Sequence, residues 1–100
     1  LVVDDDPATL RLIGRALERS GYSVILASDG TRALTVLEDN PTISLLVTDM
    51  QMPNMDGREL VTRLLNEMKI ELPVIIISGA IKLSQITGLL DVGVSRFMIV

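Results

Sequence analysis

The sequence predicts an α/β fold in which a parallel sheet carries helices on both faces. Short aliphatic runs that are rich in β-branched residues and lack polar alternation are typical of strands buried on both sides. Between them lie segments with apolar residues at spacings of three and four, which are typical of amphipathic helices. The two kinds of segment alternate along all 100 residues. Alternation of this kind is the order that right-handed strand–helix–strand crossovers require.

Each predicted strand is a short aliphatic run next to turn-forming or helix-capping residues. The predicted strands cover residues 1–4, 23–27, 44–48, 74–78 and 95–100. The first helix is predicted to begin at Asp6-Pro7, an N-cap followed by proline, and to end at Gly21. The other helices are predicted at residues 31–39, 58–68 and 83–90, and Asn40-Pro41 stops the second.

Each predicted helix presents one apolar face to the sheet. The inward residues are Leu10, Ile13 and Leu17, then Ala33, Leu34 and Leu37, then Leu60, Val61, Leu64, Leu65 and Met68, and finally Leu83, Ile86, Leu89 and Leu90. The last helix of such a fold is missing, because the sequence ends in a strand. We therefore expect the native polypeptide to continue beyond Val100. If it ends there, apolar side chains of the first and third strands and of the outer strands should face water on the side of the first helix. The chain should then self-associate through that face, as a symmetric homodimer or by exchange of elements.

The composition is that of one domain with an aliphatic core, since 48% of residues are hydrophobic and only 2% are aromatic. The net charge of −4 and the absence of a basic cluster argue against nucleic-acid binding. The chain has no Cys and no His, which excludes a disulfide framework, thiolate or imidazole metal sites and a histidine base. No apolar run is long enough to cross a bilayer and no signal peptide is visible, so we expect a cytoplasmic location without membrane insertion.

Aspartates follow two of the predicted strands directly. Asp4, Asp5 and Asp6 come after the first strand, and Asp49 comes after the third. The carboxyl ends of neighbouring parallel strands lie roughly 5 Å apart at the edge where open α/β sheets bind ligands. Carboxylates this close repel one another unless a pKa rises or a cation lies among them, and Mg²⁺ together with a phosphate suits an all-oxygen site. The triplet could also be a solvated strand end followed by a helix cap, with Asp6 as the cap.

Four stretches together resemble the receiver domain of two-component response regulators and hybrid sensor kinases. They are VVDDDP from residue 2, TDMQMPNMDG from residue 48, IIISGA from residue 75 and GVSRF from residue 93. The resemblance covers nearly the whole chain and implies a flavodoxin-like, doubly wound five-stranded parallel sheet of order 2-1-3-4-5. It implies a phosphorelay signalling switch and not an enzyme, with a histidine kinase or phosphotransfer protein as its partner.

The resemblance also implies roles for individual residues. Asp49 would accept the phosphoryl group from a phosphohistidine. Asp4 and Asp5 would hold Mg²⁺ together with Asp49 and the backbone carbonyl of Gln51. A carboxylate is a competent nucleophile for this transfer, and Mg²⁺ would neutralise and orient the transferring group.

Further residues would act on the phosphate after transfer. Ser78 and Gly79 would bind it, and Phe97 would move into the space behind Ser78. Ser78 could instead simply end a strand, and Phe97 could be ordinary core. Gln51 and Ala80 would flank the path of the hydrolytic water, and neither is a strong base, so we expect slow self-dephosphorylation. Asp56-Gly57 is interpreted as turn chemistry, and the methionines at positions 50, 52 and 55 as loop packing.

One position departs from the family pattern. The family has a lysine at the end of the fifth strand, seven residues after the glycine that Gly93 matches, and this chain has Val100 there. This difference motivates an alternative, a receiver-like interaction or dimerisation module that works without phosphorylation. A third hypothesis, an aspartate-nucleophile phosphohydrolase, requires a second Asp two residues after the nucleophile, where this chain has Gln51.

Overall fold

A computed structural model describes residues 1–79 and the backbone of residues 97–99. The elements, in chain order, are β1 (Val2–Val3), α1 (Pro7–Arg19), β2 (Leu26–Ala27), α2 (Gly30–Asp39), β3 (Leu46–Asp49), α3 (Gly57–Asn66), β4 (Val74–Ile77) and β5 (Phe97–Ile99). The predicted helix at 83–90 and the positions of Ala80 and Val100 lie outside the described residues. Within the described part, no helix has the length and hydrophobicity needed to cross a membrane.

The strands form one parallel sheet of order β2-β1-β3-β4-β5, which confirms the predicted fold class and strand order. Val3, the last residue of β1, pairs with Ala27 of β2 on one side and with Thr48 of β3 on the other. At the end of β3, Asp49 pairs with Ile77 of β4. The carboxyl ends of β1, β3 and β4 therefore meet at the same edge of the sheet.

Alternate side chains along β1, β3 and β4 pack into two separate aliphatic clusters. On the α1 face, Val2, Val47, Ile75 and Ile77 pack with the buried residues of that helix. The cluster on the α2 and α3 face consists of Val3, Ala27, Ala33, Leu37, Leu46, Met52, Met55, Leu60, Val61, Leu64, Val74 and Ile76. Burial on both faces is what the aliphatic runs predicted.

One expectation about the α1 face is wrong for the described residues. If the chain ended at Val100, apolar side chains of the first and third strands were expected to face water on that side, yet Val2 and Val47 are 2% and 1% exposed. The physical reason is that the apolar stripe of α1, at Leu10, Ile13 and Leu17, packs directly onto them. This removes part of the argument for a homodimer, whose formation stays a prediction.

Several predicted boundaries and one core residue differ from the structure. The second strand was predicted at 23–27, but only Leu26–Ala27 pair, at the edge of the sheet. The third helix was predicted to reach Met68, but it ends at Asn66, before Lys69 with a left-handed φ of 56°. Leu65 was predicted to face the core and is 46% exposed, because it lies about 140° around the helix from the fully buried Leu60, outside the stripe of Leu60, Val61 and Leu64.

Candidate metal centre

Three of the predicted aspartates come together at the carboxyl edge of the sheet. Asp4 follows β1, Asp5 follows Asp4, and Asp49 is the last residue of β3. One carboxylate oxygen from each lies within 4.8 Å of the others. Asp4 is buried at 6% exposure, Asp49 is partly buried and Asp5 is exposed. The cluster thus has a buried inner side and one carboxylate that faces solvent.

The backbone holds Asp4 at this edge and turns Asp6 away from it. The N–H of Asp4 donates to the carbonyl of Ala27 at 3.2 Å, which continues the pairing of β1 with β2. The Asp4 carboxylate accepts the N–H of Asp6 at 2.9 Å. Asp6 itself is the N-cap of α1, and its carboxylate accepts hydrogen bonds from the backbone N–H and the hydroxyl of Thr9. Its interpretation as a cap is confirmed.

The site is electrostatically strained without a cation. Burial raises the pKa of Asp4 above its ordinary value, a hydrogen bond from the Asp6 N–H opposes this, and the negative charges of Asp49 and Asp5 raise the pKa further. Burial also raises the pKa of Asp49, against hydrogen bonds from the N–H groups of Gln51 and Met50, and the charge of Asp5 adds to the rise. Ionised carboxylates in this crevice are therefore destabilised by desolvation and by one another.

The donor set fits a hard divalent cation. Magnesium lies about 2.1 Å from each ligand oxygen, so two ligands on opposite sides of the ion are about 4.2 Å apart. Separations within 4.8 Å come close to that limit. All three donors are oxygens, and the chain contains no His or Cys that would favour a softer metal.

The loop after Asp49 is anchored in the core by its methionines. Met52 and Met55 are 8% and 6% exposed and belong to the cluster on the α2 and α3 face, and Met50 packs against it. Their interpretation as loop packing is thereby confirmed. Asp56 accepts the N–H of Glu59 at 2.8 Å and is the N-cap of α3.

Sequence reasoning missed how closely Gly57 approaches the Asp49 backbone. A Cβ at Gly57 would lie 2.6 Å from the carbonyl oxygen of Asp49 and 3.2 Å from the Cα of Met50. The Gly57 N–H donates to the Met50 carbonyl at 2.8 Å, which seats the start of α3 against the end of β3. The available signal was a glycine at the first helical position directly after an Asp cap, where a better helix former would otherwise be expected.

The predicted phosphate-binding residues lie at the same edge. The N–H of Met50 donates to the carbonyl of Ile77 at 2.8 Å, which carries the β3–β4 pairing one step beyond Asp49. Ser78 and Gly79 follow Ile77 directly and are exposed. The backbone of Phe97 pairs with Val74 at the opposite end of β4, and its side chain lies outside the described residues, as does Ala80.

Known proteins share both the sequence and the fold. The chain is 42% identical over 79 residues to response regulator GtcR of Aneurinibacillus migulanus, covering 79% of the chain and 31% of the relative. Over 98 residues it is 37% identical to response regulator MprA of Mycobacterium sp. strain KMS, covering 98% of the chain and 42% of the relative. The chain thus spans less than half the length of these two curated relatives.

Solved receiver domains have the same architecture. The receiver domain of the hybrid histidine kinase CckA superposes with a TM-score of 0.83 at 30% identity, covering 94% of this chain and 96% of that one. A response regulator receiver domain from Clostridium thermocellum gives a TM-score of 0.74 at 28% identity, covering 98% and 78% of the two chains. The family model of the response regulator receiver domain matches residues 1–99, and the chain therefore belongs to that family.

Proposed function

We propose that this domain is a phosphorelay switch in which Asp49 accepts a phosphoryl group from a histidine kinase or a phosphotransfer protein, with Mg²⁺ as cofactor. The observation that carries the proposal is the convergence of Asp4, Asp5 and Asp49 within 4.8 Å at the carboxyl edge of the sheet. Membership of the receiver family supports it. The domain is a signalling switch in a cytoplasmic protein, and its output lies in other parts of that protein or in other proteins.

In this proposal Asp4, Asp5, Asp49 and the backbone carbonyl of Gln51 are the protein ligands of Mg²⁺. When bound, the ion neutralises charge on the transferring phosphoryl group. A carboxylate oxygen of Asp49 attacks the phosphorus atom in line with the donor's P–N bond. That bond breaks as the new O–P bond forms, and the donor imidazole leaves with the bonding electrons. Asp49 reacts as the carboxylate, so no base is needed to remove a proton from it.

After transfer, the new charge has to be met by donors at the edge of the sheet. Ser78 directly follows β4 and would donate its hydroxyl hydrogen bond to the phosphoryl group, and the backbone N–H of Gly79 would donate a second. Movement of Ser78 leaves a space that Phe97 fills, which transmits the local charge to a more distant surface.

Intact-mass measurement after incubation with acetyl phosphate tests the acceptor and the metal together. The wild-type chain should gain one phosphoryl group in the presence of Mg²⁺ and none in EDTA. Asp49→Asn should gain none. Asp39→Asn, which removes the same charge from the exposed end of α2, should be labelled like wild type. Labelling of Asp49→Asn to the wild-type extent would overturn the assignment of the acceptor.

The rate of dephosphorylation follows from the residues beside the acceptor. Gln51 could orient a water, Ala80 offers no polar group, and neither is a strong base, so the phosphorylated form should decay over minutes or longer. Ala80→Glu and Gln51→Ala should each change the decay rate measured by intact mass. If both variants decay at the wild-type rate, this account of the lifetime is wrong.

An alternative is a receiver-like interaction or dimerisation module that does not use phosphorylation, and Val100 at the expected lysine position favours it. The same mass experiment separates the two functions. A chain that binds Mg²⁺ but gains no phosphoryl group from either acetyl phosphate or a phosphorylated kinase would support the alternative. The intact acidic cluster favours the phosphorelay switch, because unused carboxylates in a partly buried crevice cost stability.

A further inference from the structure

The loop from Met50 to Gly57 is closed at its base by one hydrogen bond, between the Gly57 N–H and the Met50 carbonyl at 2.8 Å. Gln51 is therefore the first residue inside a closed loop. At the far end, the N–H of Met55 donates to the carbonyl of Pro53 at 2.8 Å, across Asn54 with a left-handed φ of 69°. A loop with these constraints moves as a unit, so its position depends on what its buried side chains contact.

Met55 rests on the first residue of α2. A Cβ at Gly30 would lie 2.7 Å from the Sδ of Met55, 3.0 Å from its Cγ and 3.1 Å from its Cβ. The Sδ and Cγ atoms could move aside by rotation of the side chain. The Cβ atom is fixed to the loop backbone, so its 3.1 Å contact can lengthen only if the loop or the start of α2 shifts by a few tenths of an ångström. Met55 is 6% exposed and enclosed by the core, which leaves little room for another rotamer.

The position of Met55 is passed on to the acidic cluster through the following two residues. Asp56 caps α3, and Gly57 lies against the carbonyl of Asp49 without room for a methyl group. A shift of Met55 away from α2 therefore moves Gly57 or the loop base that includes Met50. Either movement displaces Gln51 and the backbone N–H groups that stabilise the Asp49 carboxylate.

We propose that Gly30 is a positioning residue for the metal centre, acting through its contact with Met55 to place the loop that carries Gln51. This inference rests on the proposed function, because it requires that the Gln51 carbonyl and the Asp49 carboxylate bind Mg²⁺. Gly30 itself touches neither the metal nor the phosphoryl group. Residues that orient metal ligands without binding the metal typically change metal affinity by 10- to 100-fold when altered.

Mg²⁺ affinity measured by isothermal titration calorimetry on the full chain tests this proposal. Gly30→Ala should weaken Mg²⁺ binding about ten-fold. In a Met55→Ala background the same change should alter the affinity by less than about two-fold, because Sδ and Cγ, the two closest of the clashing atoms, are gone. Gly14→Ala is the matched control. It adds a methyl group at another helical glycine, whose nearest neighbour is the flexible end of Leu26 at 3.0 Å, and it should bind Mg²⁺ like wild type.

Unfolding by urea in EDTA, measured on the same variants, separates positioning from general damage. Gly30→Ala with reduced stability but wild-type Mg²⁺ affinity would overturn the proposal. If Gly30→Ala does not fold, the Met55→Ala variant alone tests the proposal, since it shortens the side chain that contacts Gly30 and adds no atoms. It should weaken Mg²⁺ binding about ten-fold, and unchanged affinity would reject the positioning role. A wild-type chain that binds no Mg²⁺ would instead overturn the proposed function on which the inference depends.

Discussion

Asp4 and Asp6, two members of one aspartate triplet, have opposite electrostatic environments. Burial raises the pKa of Asp4, whereas hydrogen bonds from the side chain and backbone of Thr9 lower the pKa of the exposed Asp6. Asp4 and Asp5 lie in the acidic cluster, and Asp6 starts a helix. Two residues of separation are enough to turn a carboxylate from the crevice toward solvent.

Asp4→Asn should stabilise the metal-free domain at neutral pH. The folded-state pKa of Asp4 lies above the ordinary value of 3.8. The free energy of unfolding therefore falls as the pH rises from 3.8 through the folded-state pKa, and the full penalty for the ionised group is present above it. The amide keeps an oxygen to accept the Asp6 N–H and carries no charge. We expect a higher free energy of unfolding than that of the wild type, measured by urea unfolding in EDTA at pH 7. Asp39→Asn should show no such gain, and a destabilised Asp4→Asn would contradict the argument.

Gly57→Ala should destabilise the fold more than Gly14→Ala does. The added methyl at position 57 meets the backbone carbonyl of Asp49 at 2.6 Å, while at position 14 it meets a side-chain terminus at 3.0 Å. Backbone cannot move aside as a side chain does, so a cost of about 2 kcal/mol or more is expected at position 57. Urea unfolding of the two variants provides the comparison. Equal stabilities would show that the close approach is not a constraint.

At the level of elements, each described helix begins with an aspartate cap and buries a narrow stripe against the sheet. Asp6, Asp29 and Asp56 accept N–H groups of the first turns of α1, α2 and α3. Capping of this kind fixes where each helix starts, directly after the carboxyl edge of the sheet. The loops that carry the acidic cluster are consequently short and held at both ends.

Leu64 and Leu65 provide a direct test of which face of α3 is buried. Leu64 is fully buried and Leu65 is 46% exposed, although both were predicted to face the core. Leu64→Ala should cost about 2–5 kcal/mol because it leaves a cavity between α3 and the sheet. Leu65→Ala should cost less than about 1 kcal/mol, with the same change in helix propensity. Similar losses in urea unfolding would mean that the helix is rotated relative to this structure.

At the scale of the molecule, the described residues form two well-packed apolar clusters and one acidic site in which burial and neighbouring charges disfavour the ionised carboxylates. Side chains of β1, β3 and β4 fill both faces of the described part of the sheet, whereas Asp4 and Asp49 are held at its edge with raised pKa values. Packing supplies the stability that keeps the carboxylates together. Sedimentation across concentrations remains the measurement for the predicted homodimer.

Mg²⁺ should stabilise the whole domain in a pH-dependent way. At a concentration 100-fold above its dissociation constant, a ligand that binds only the folded state adds about 2.7 kcal/mol to the free energy of unfolding. The gain should be present at pH 7, where the carboxylates are ionised. It should fall as the pH drops through the raised folded-state pKa values of Asp4 and Asp49, since protons then compete with the metal.

Thermal or urea unfolding with and without MgCl₂ measures this gain, with NaCl at matched ionic strength as the control. Asp49→Asn should lose most of it. A gain of equal size in NaCl, or one that persists unchanged well below the ordinary carboxyl pKa of 3.8, would point to general screening and not to a site.

The sequence by itself determined the elements whose signals are local. Aliphatic runs indicated the strands, and the spacing of Leu10, Ile13 and Leu17 indicated the buried face of α1. Asp6-Pro7 marked the start of that helix, and the position of aspartates after two strands predicted an acidic edge. Each of these signals depends on residues close together in the sequence, so it can be recognised without knowing which elements pack against it. The strand order came from the family resemblance.

Only the tertiary structure decided which residues meet across elements. Periodicity defines a face only relative to the helix's own axis, so it could not exclude Leu65 from the core. The aliphatic run at residues 23–27 likewise could not show that only two residues of β2 pair with β1. The contacts of Gly30 with Met55 and of Gly57 with Asp49 join segments that carry no shared local pattern. They exist because close packing leaves no room for a methyl group between each glycine and the segment it meets, which is a property of the folded chain alone.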